Sequence, residues 1–211
     1  SGETFDLIYS KELDLLITEP VPKTEDLPKY YESEEYISHT DEKRGLLSNL
    51  YQLVKKWSLQ KKAKLIYAQN DGAGSLLDVG AGTGDFLKIA KEKGWEVYGM
   101  EPNPNALKLA NKKGINLKSS LKDFAGKQFD VITLWHVLEH VPNLEETISE
   151  LSNLVKPNGT LIIAVPNFKS FDAKHYGRFW AAFDVPRHLW HFSKDSIEKL
   201  FAEKFQLKKI K

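Results

Sequence analysis

From residue 75 onward the chain alternates between short apolar runs and longer amphipathic stretches bounded by glycine. "SLLDVG" (75–80) is apolar apart from Asp78 and reads as a strand. It leads through "AGTG" into an amphipathic helix from about Asp85 that ends at Gly94, after three charges in its last turn. "EVYGME" (96–101) predicts a second strand, followed by Asn103 as N-cap, Pro104 at the first helical position and a helix that ends at Gly114. "INLKSS" (115–120) is a weaker strand, and "FDVITLWH" (129–136) a near-continuous apolar one. Asn143 with Glu146 three residues on resembles a capping box for a helix to Val155, and a "KPNGT" turn precedes the strand "LIIAVPN" (161–167). Five strands, four of them followed by helices and none alternating with polar residues, imply an α/β fold: a doubly wound, mostly parallel sheet with helices on both faces.

The first 40 residues follow no such rhythm. They are acidic, carry Pro20, Pro22 and Pro28 and the aromatic cluster "YYESEEY" (30–36), and read as an irregular arm or lid. Asp41 is an N-cap for a long helix to about Ala68, with Leu46, Leu47, Leu50, Leu53, Val54 and Trp57 on its apolar face; "NDGAG" stops it. The expected organisation is an arm over 1–40 and one domain over 41–211, with 167–192 as an insertion on the substrate side.

Composition narrows the chemistry. With 211 residues, 41% of them hydrophobic, the chain fills one core with an appendage. Its formal charge of +1 provides no global basic field for nucleic acid. The absence of cysteine removes disulfides, thiolate zinc sites and cysteine nucleophiles, and fits a reducing cytoplasmic setting. The apolar runs are far below the roughly 20 residues that span a bilayer. The chain opens Ser-Gly rather than with methionine, which reads as a trimmed start.

Gly80, Gly82 and Gly84 would let the backbone turn sharply after the first strand and approach a ligand closely. A dinucleotide loop wants Gly-x-Gly-x-x-Gly, but counting from Gly80 the sixth position is Asp85, and from Gly82 it is Leu87. An acid opening the helix also opposes a pyrophosphate at its N-terminus, so a phosphate-free, positively charged ligand suits the loop better. Glu101 closes the second strand where an acid can hold the two hydroxyls of an adenosine ribose.

"LLDVGAGTGDFL", "GMEPNP", "FDVITLWHVLEHVPN" and "LVKPNGTLIIAVPN", in this order and spacing, resemble the motifs of class I S-adenosylmethionine (SAM) dependent methyltransferases over about 75–167. "DVPRHLWHFSKDSIEKLF" is similar to a bacterial branch with a Pro-Arg-His-Leu-x-His-Phe-Ser segment, which extends the match to about 205. The resemblance implies a Rossmann-like methyltransferase fold that binds SAM and releases S-adenosylhomocysteine. Asp78 would orient the glycine loop or reach the cofactor's ammonium group through water, and Gly80, Ala81, Gly82 and Gly84 would shape the methionine end. Glu101 would take the ribose hydroxyls, Pro102, Ser120 and Leu121 would bracket the adenine, and Trp135 and His136 would approach the transferring methyl. It also implies seven strands: "QLKKIK" (206–211) reads as strand six, and strand seven is missing, which points to truncation past Lys211. Relatives in this branch often carry a cysteine zinc ribbon ahead of the domain; "SKELDLLITEPVP" puts Ser10 and Leu13 at its spacing, a remnant or a coincidence.

Methyl transfer needs alignment and exclusion of water more than side-chain chemistry, with a general base where an oxygen or nitrogen acceptor loses a proton. His136, His140, His188 and His191 are the candidates, His136 first because it lies nearest the cofactor strand; for each, a histidine satisfied by backbone groups is the competing reading. Some superfamily members hold a divalent cation with Glu-x-x-Glu-His here. This chain offers His136, Glu139 and His140, an imidazole in place of the first carboxylate, and no metal is expected. Substrate contacts are expected from Tyr31, Tyr36, Tyr176, Trp180 and Arg187, among an aromatic loop that also has Phe168, Phe171, Phe179 and Phe183. The leading function is methylation of a small-molecule acceptor, an oxygen of a sugar, glycolipid or secondary metabolite. A nicotinamide-dependent oxidoreductase or epimerase and a non-catalytic SAM-binding module are the alternatives. Nucleic acid is not an expected partner, and oligomeric state is open.

Overall fold

The computed structural model describes residues 3–23, 26–30 and 46–211, with backbone alone at 27, 28 and 46–50. In chain order the elements are β1 (Asp6–Ser10), β2 (Leu15–Glu19), α1 (Leu46–Asn70), β3 (Ser75–Val79), α2 (Asp85–Glu92), β4 (Glu96–Met100) and α3 (Pro104–Lys112). They continue as β5 (Phe129–Trp135), α4 (Leu144–Leu154), β6 (Val155–Ala164), α5 (Phe171–Tyr176), β7 (Trp190–His191) and α6 (Lys194–Phe201). Two compact units emerge, one of Glu42–Trp135 with Ser149–Ile163, the other of Ser1–Asp41, His136–Ile148 and Ala164–Lys211.

The first unit carries a four-stranded sheet in the order β4-β3-β5-β6, with β3 parallel to both neighbours through Leu76↔Val97 and Leu77↔Ile132. Every residue of β3 is buried, as the unbroken apolar run requires when both faces are covered. Leu76 and Val131 pack with Ala63 and Ile66 of α1 and with Phe86, Leu87 and Ala90 of α2. The face predicted for α1 is not the buried one: Leu53, Val54 and Trp57 are 66%, 55% and 59% exposed. At about 100° per residue they lie across the helix from Leu59, Ala63 and Ile66, and only the latter side meets the core. Asp41 and the side chains of Leu46, Leu47 and Leu50 lie outside the described residues.

Local signals fared well in this unit. Asn103 caps α3, its Oδ1 accepting from the N–H groups of Asn105 and Ala106 at 2.9 and 3.2 Å, with Pro104 at the first position. The stretch 115–120 forms a single parallel bridge, Met100↔Lys118, instead of a strand. Gly114 (φ 76°) ends one turn before it, and Ser120 starts a capped 3-10 turn after it, so few residues are left to pair. Gly99 lets this stretch approach, since a Cβ there would stand 2.6 Å from Leu117 Cδ2. The helix predicted to reach Val155 stops at Leu154, and β6 starts at once instead of at residue 161. The "KPNGT" turn lies inside this extended stretch, with Asn158 at φ 66°. In the other unit, Asn143 Oδ1 accepts from Glu146 N–H at 3.1 Å, while Glu146 reaches only the Asn143 side chain, so half of the capping box forms.

The second unit shows that the arm is not irregular. β1 and β2 form an antiparallel hairpin (Ile8↔Ile17), and β2 pairs antiparallel with β7 (Leu16↔His191). Ser10 Oγ accepts from Leu13 N–H at 3.4 Å, so the residues at the zinc-ribbon spacing close the hairpin turn. Asp14, at φ 56°, ties the hairpin to distant residues. Its carboxylate accepts from Tyr9 Oη and from Lys169 Nζ at 2.6 Å, and from Ser193 Oγ at 2.5 Å, 179 positions away. These three donors hold its carboxyl well below the usual range. Residues 206–211 form no strand. No helix among the described residues is long and apolar enough to cross a membrane.

Candidate active site

The turn after β3 adopts the conformation that its glycines permit. Gly80, Gly82 and Gly84 have φ of 70°, 54° and 74°, a region that costs other L-residues roughly 1–2 kcal/mol. The N–H groups of Gly80 and Ala81 both reach the Met100 carbonyl at 2.8 and 2.9 Å, which folds the loop back on the end of β4. Gly82 N–H donates to Glu101 Oε2 and Asn103 N–H to Oε1, each at 2.9 Å. Glu101 therefore bridges the loop and the α3 cap, half-buried, with lone pairs left for a diol. Among the described residues a Cβ at Gly82 would meet nothing within 4 Å; at Gly84 it would press on Ile115 at 3.1 Å.

Asp78 is buried beneath the loop and accepts a 2.6 Å hydrogen bond from Thr133 Oγ1. Burial pushes its carboxyl up to about 7, partly opposed by Thr133 and by Lys62, while Glu101 adds to the rise. Sequence reasoning missed Thr133 and Lys62. Thr133 is the one hydroxyl inside the apolar run of β5, a legible signal; Lys62 lies on a helix and carried none. Lys62 Nζ stands 4.5 Å from the centre of the Trp135 ring, and its own burial lowers its pKa. Trp135 also packs edge-on against Phe86 at 5.8 Å, and its buried Nε1–H meets no partner among the described residues.

Two other expectations change. Asp85 is paired with Lys55 at 2.7 Å and with Lys113 at 2.6 Å, so its charge is already answered and does not argue for a cationic ligand. Ser120 accepts from Lys122 N–H while Asp123 accepts from Ser120 N–H, and Leu121 is buried. Those side chains serve the 3-10 turn, which leaves Pro102, exposed beside Glu101, as the predicted adenine neighbour that faces solvent. A cavity of about 530 Å³ lined by Gly74, Ser75, Glu96, Tyr98, Phe129 and Asp130 opens at the amino-terminal ends of the strands, away from the loop.

The histidines belong to the second unit and differ sharply in setting. His136 has φ 60°, its side chain is 65% exposed, and its Nδ1 lies 3.5 Å from Glu139 Oε1. His140 Nδ1 lies 2.9 Å from the Arg187 carbonyl, and His188 Nδ1 2.9 Å from the Ala182 carbonyl. The two rings sit edge to face at 4.6 Å. His191 is buried in the β2–β7 pairing with Nε2 2.9 Å from Thr18 Oγ1, and burial beside His188 lowers its pKa to about 4. Its ring braces the hairpin instead of facing solvent, a correction to its place among the candidate bases. Glu139, His140 and His188 bring one ligand atom each within 4.8 Å of one another.

The aromatic segment divides in two. Trp180 packs on Phe183 at 5.2 Å and Phe183 on His191 at 5.6 Å, whereas Phe171, Tyr176 and Phe179 are exposed. Arg187 is drawn to Asp184 through Nε and Nη2. Tyr31 and Tyr36 lie outside the described residues.

A parallel β-sheet with a left-handed glycine turn after β3 and an acid at the end of β4 holding that turn defines a class I SAM-dependent methyltransferase, the class whose cofactor is S-adenosylmethionine. The chain belongs to the family described as methyltransferase domain, whose model matches residues 52–211. It is 33% identical over 102 residues to the ubiquinone biosynthesis O-methyltransferase of Saccharophagus degradans, covering 44% of this chain and 43% of that protein. The enzyme of the same name from Xanthomonas oryzae pv. oryzae is 30% identical over 146 residues, 63% of this chain and 61% of its own. The chain thus spans under half of the first of these relatives. Among solved structures, magnesium protoporphyrin IX methyltransferase from Synechocystis PCC 6803 with bound SAH superposes with a TM-score of 0.66 at 16% identity, covering 86% of this chain and 89% of that one. A SAM-dependent methyltransferase from Archaeoglobus fulgidus gives 0.53 at 23% identity, covering 72% and 73%. These two likenesses concern the fold.

Proposed function

We propose that the protein transfers a methyl group from SAM to an oxygen of a small-molecule acceptor, a sugar, glycolipid or secondary metabolite. The observation that supports the cofactor half is the Gly82–Glu101 hydrogen bond, which holds the carboxylate we assign to the ribose hydroxyls against the glycine loop. The matched relatives named O-methyltransferases support oxygen as the accepting atom. The bound cofactor supplies an already activated methyl group, so the chain's task is to bind, orient and keep water away. Glu101 would hold the ribose hydroxyls, the left-handed glycines would admit the methionine end, and Trp135 would line the methyl side. His136, exposed and directly after Trp135 in the chain, would take the acceptor's proton on Nε2, with Glu139 close to Nδ1 to receive the charge.

Calorimetric titration with SAM, S-adenosylhomocysteine and NAD tests this reading. SAM and its product should bind, and Gly82→Arg and Glu101→Ala should each weaken them at least about tenfold, a loss of roughly 1.4 kcal/mol. His136→Ala should leave that affinity intact and lower transfer to an accepted substrate by about a hundredfold. Binding of NAD alone, or of nothing by a folded sample, overturns the reading. Unchanged turnover in His136→Ala removes the base and leaves the cofactor site standing.

A further inference from the structure

α1 has two apolar sides, and the core takes only one of them. Leu59, Ala63 and Ile66 face the sheet, while Leu53, Val54 and Trp57 lie across the helix in solvent. Lys61 follows one turn after Trp57, its Nζ 3.4 Å from a ring centre of the indole, and Lys64 continues the same outer row. The 25 residues of α1 contain five lysines and neither an aspartate nor a glutamate. Two of those lysines serve the unit itself, Lys55 paired with Asp85 at 2.7 Å and Lys62 standing over Trp135. Lys56, Lys61 and Lys64 are exposed, and no carboxylate on the helix answers them. The whole chain carries a formal charge of only +1, so this strip is a local excess.

We propose that the outer face of α1, Leu53, Val54 and Trp57 flanked by Lys56, Lys61 and Lys64, docks the protein on the surface of an anionic phospholipid bilayer. Leucine, valine and indole would enter the boundary between acyl chains and headgroups, and the lysine stems would reach past them to the phosphates. Trp57 suits that depth, because its ring is apolar and its N–H polar. Two copies of the helix face to face would set lysine against lysine, which opposes a second copy as the occupant. A protein partner is recognised through interleaved charges and hydrogen bonds; this strip offers apolar groups and long-stemmed cations of one sign, which match negative charge spread over a fluid surface. The helix would lie along that surface, since no helix among the described residues is long and apolar enough to cross it. Its other side carries Lys62 against Trp135, in the unit that holds the glycine loop, so docking would keep the candidate methyl-transfer site near lipid. The surface stands apart from the acceptor reading, because lipid binding is measured without turnover.

The full chain, untagged, is mixed with phosphatidylcholine vesicles, with and without about 30% phosphatidylglycerol, and bound protein is measured by sedimentation. It should partition onto the anionic vesicles, leave the neutral ones bare, and lose most of its binding in about 0.5 M sodium chloride, where screening shortens to a few ångström. Lys56→Glu, Lys61→Glu and Lys64→Glu together should weaken partition about a hundredfold. Leu53→Gln with Trp57→Gln should weaken it about tenfold. Both variants change exposed positions and should keep the wild-type thermal midpoint. If either fails to fold, brominated acyl chains in the anionic vesicles should still quench the wild-type tryptophan emission, and Trp57→Phe should remove most of that quenching. Equal binding to neutral and anionic vesicles, no binding to either, or binding indifferent to both sets of substitutions overturns the proposal. A doubled mass in light scattering that the Leu53→Gln, Trp57→Gln protein lacks would assign the face to a second copy and overturn it as well. Soluble polyglutamate bound as tightly as the vesicles would assign the face to an acidic protein instead of lipid.

Discussion

The parallel-sheet unit and the hairpin unit solve the problem of making a site in opposite ways. In the first, the decisive groups are backbone: three left-handed glycines and paired N–H groups on the Met100 carbonyl, all within about 25 positions of Asp78. In the second they are side chains drawn from remote stretches, with Asp14 meeting Lys169 and Ser193, and Glu139 meeting His188. A backbone site depends on the local order of small residues and tolerates changes around it. A side-chain site depends on long-range closure, and each member leaves a buried partner stranded when it is removed.

Two of the buried acids, Asp14 and Asp78, sharpen this contrast. Asp14→Asn should have the largest effect, costing about 3 kcal/mol at neutral pH because Lys169 and Ser193 lose a charged acceptor. The wild-type carboxyl is depressed, so its contribution is complete above its unfolded pKa and disappears as pH falls through the folded one. Urea midpoints of the two proteins should therefore converge below about pH 4. Asp78→Asn should act with the other sign. Its carboxyl is raised to about 7, so the wild-type fold is best served below the unfolded pKa and loses stability, at up to about 1.4 kcal/mol per pH unit, until pH passes 7. The variant should equal the wild type near pH 4 and exceed it at pH 8, while binding SAM less well. Midpoints that diverge in acid, or an Asp78→Asn protein no more stable than wild type at pH 8, would break the contrast.

Smaller effects probe the packing. Gly99→Ala places a methyl 2.6 Å from Leu117 and Leu87 and should cost about 1–3 kcal/mol in thermal or urea unfolding. Trp57→Gln, on the exposed side of α1, should change stability by less than about 0.5 kcal/mol in the same assay. A larger loss would show that this face is covered.

What the sequence made legible follows the same division. The β3 turn, the Asn103–Pro104 cap, and Gly94 and Gly114 past the ends of their helices were readable because each is decided by neighbours within a few residues. The face of α1 was misread because Leu53, Val54 and Trp57 make as good a stripe as Leu59, Ala63 and Ile66, and periodicity cannot say which stripe meets the sheet. The hairpin was missed because "SKELD" lacks the Asn-Gly or Asp-Gly pair of a tight turn, and the third strand of its sheet comes more than 170 positions later. His188 was read as one of four candidate bases; its place beside Glu139 depends on the Leu189 N–H that reaches the Glu139 carbonyl, a contact that no spacing rule announces.

The bond between Asp14 and Ser193 also sets an order of assembly. On the ribosome, every residue of the glycine-loop unit has been made by Ile163, so its sheet can close while the tail is still being synthesised. The hairpin must wait for β7 and for Ser193 before it gains its third strand and its clasp. The nascent protein thus acquires its cofactor half first and its histidine half last, and until then it exposes the edge of a two-stranded ribbon for which a chaperone or a second nascent chain would compete.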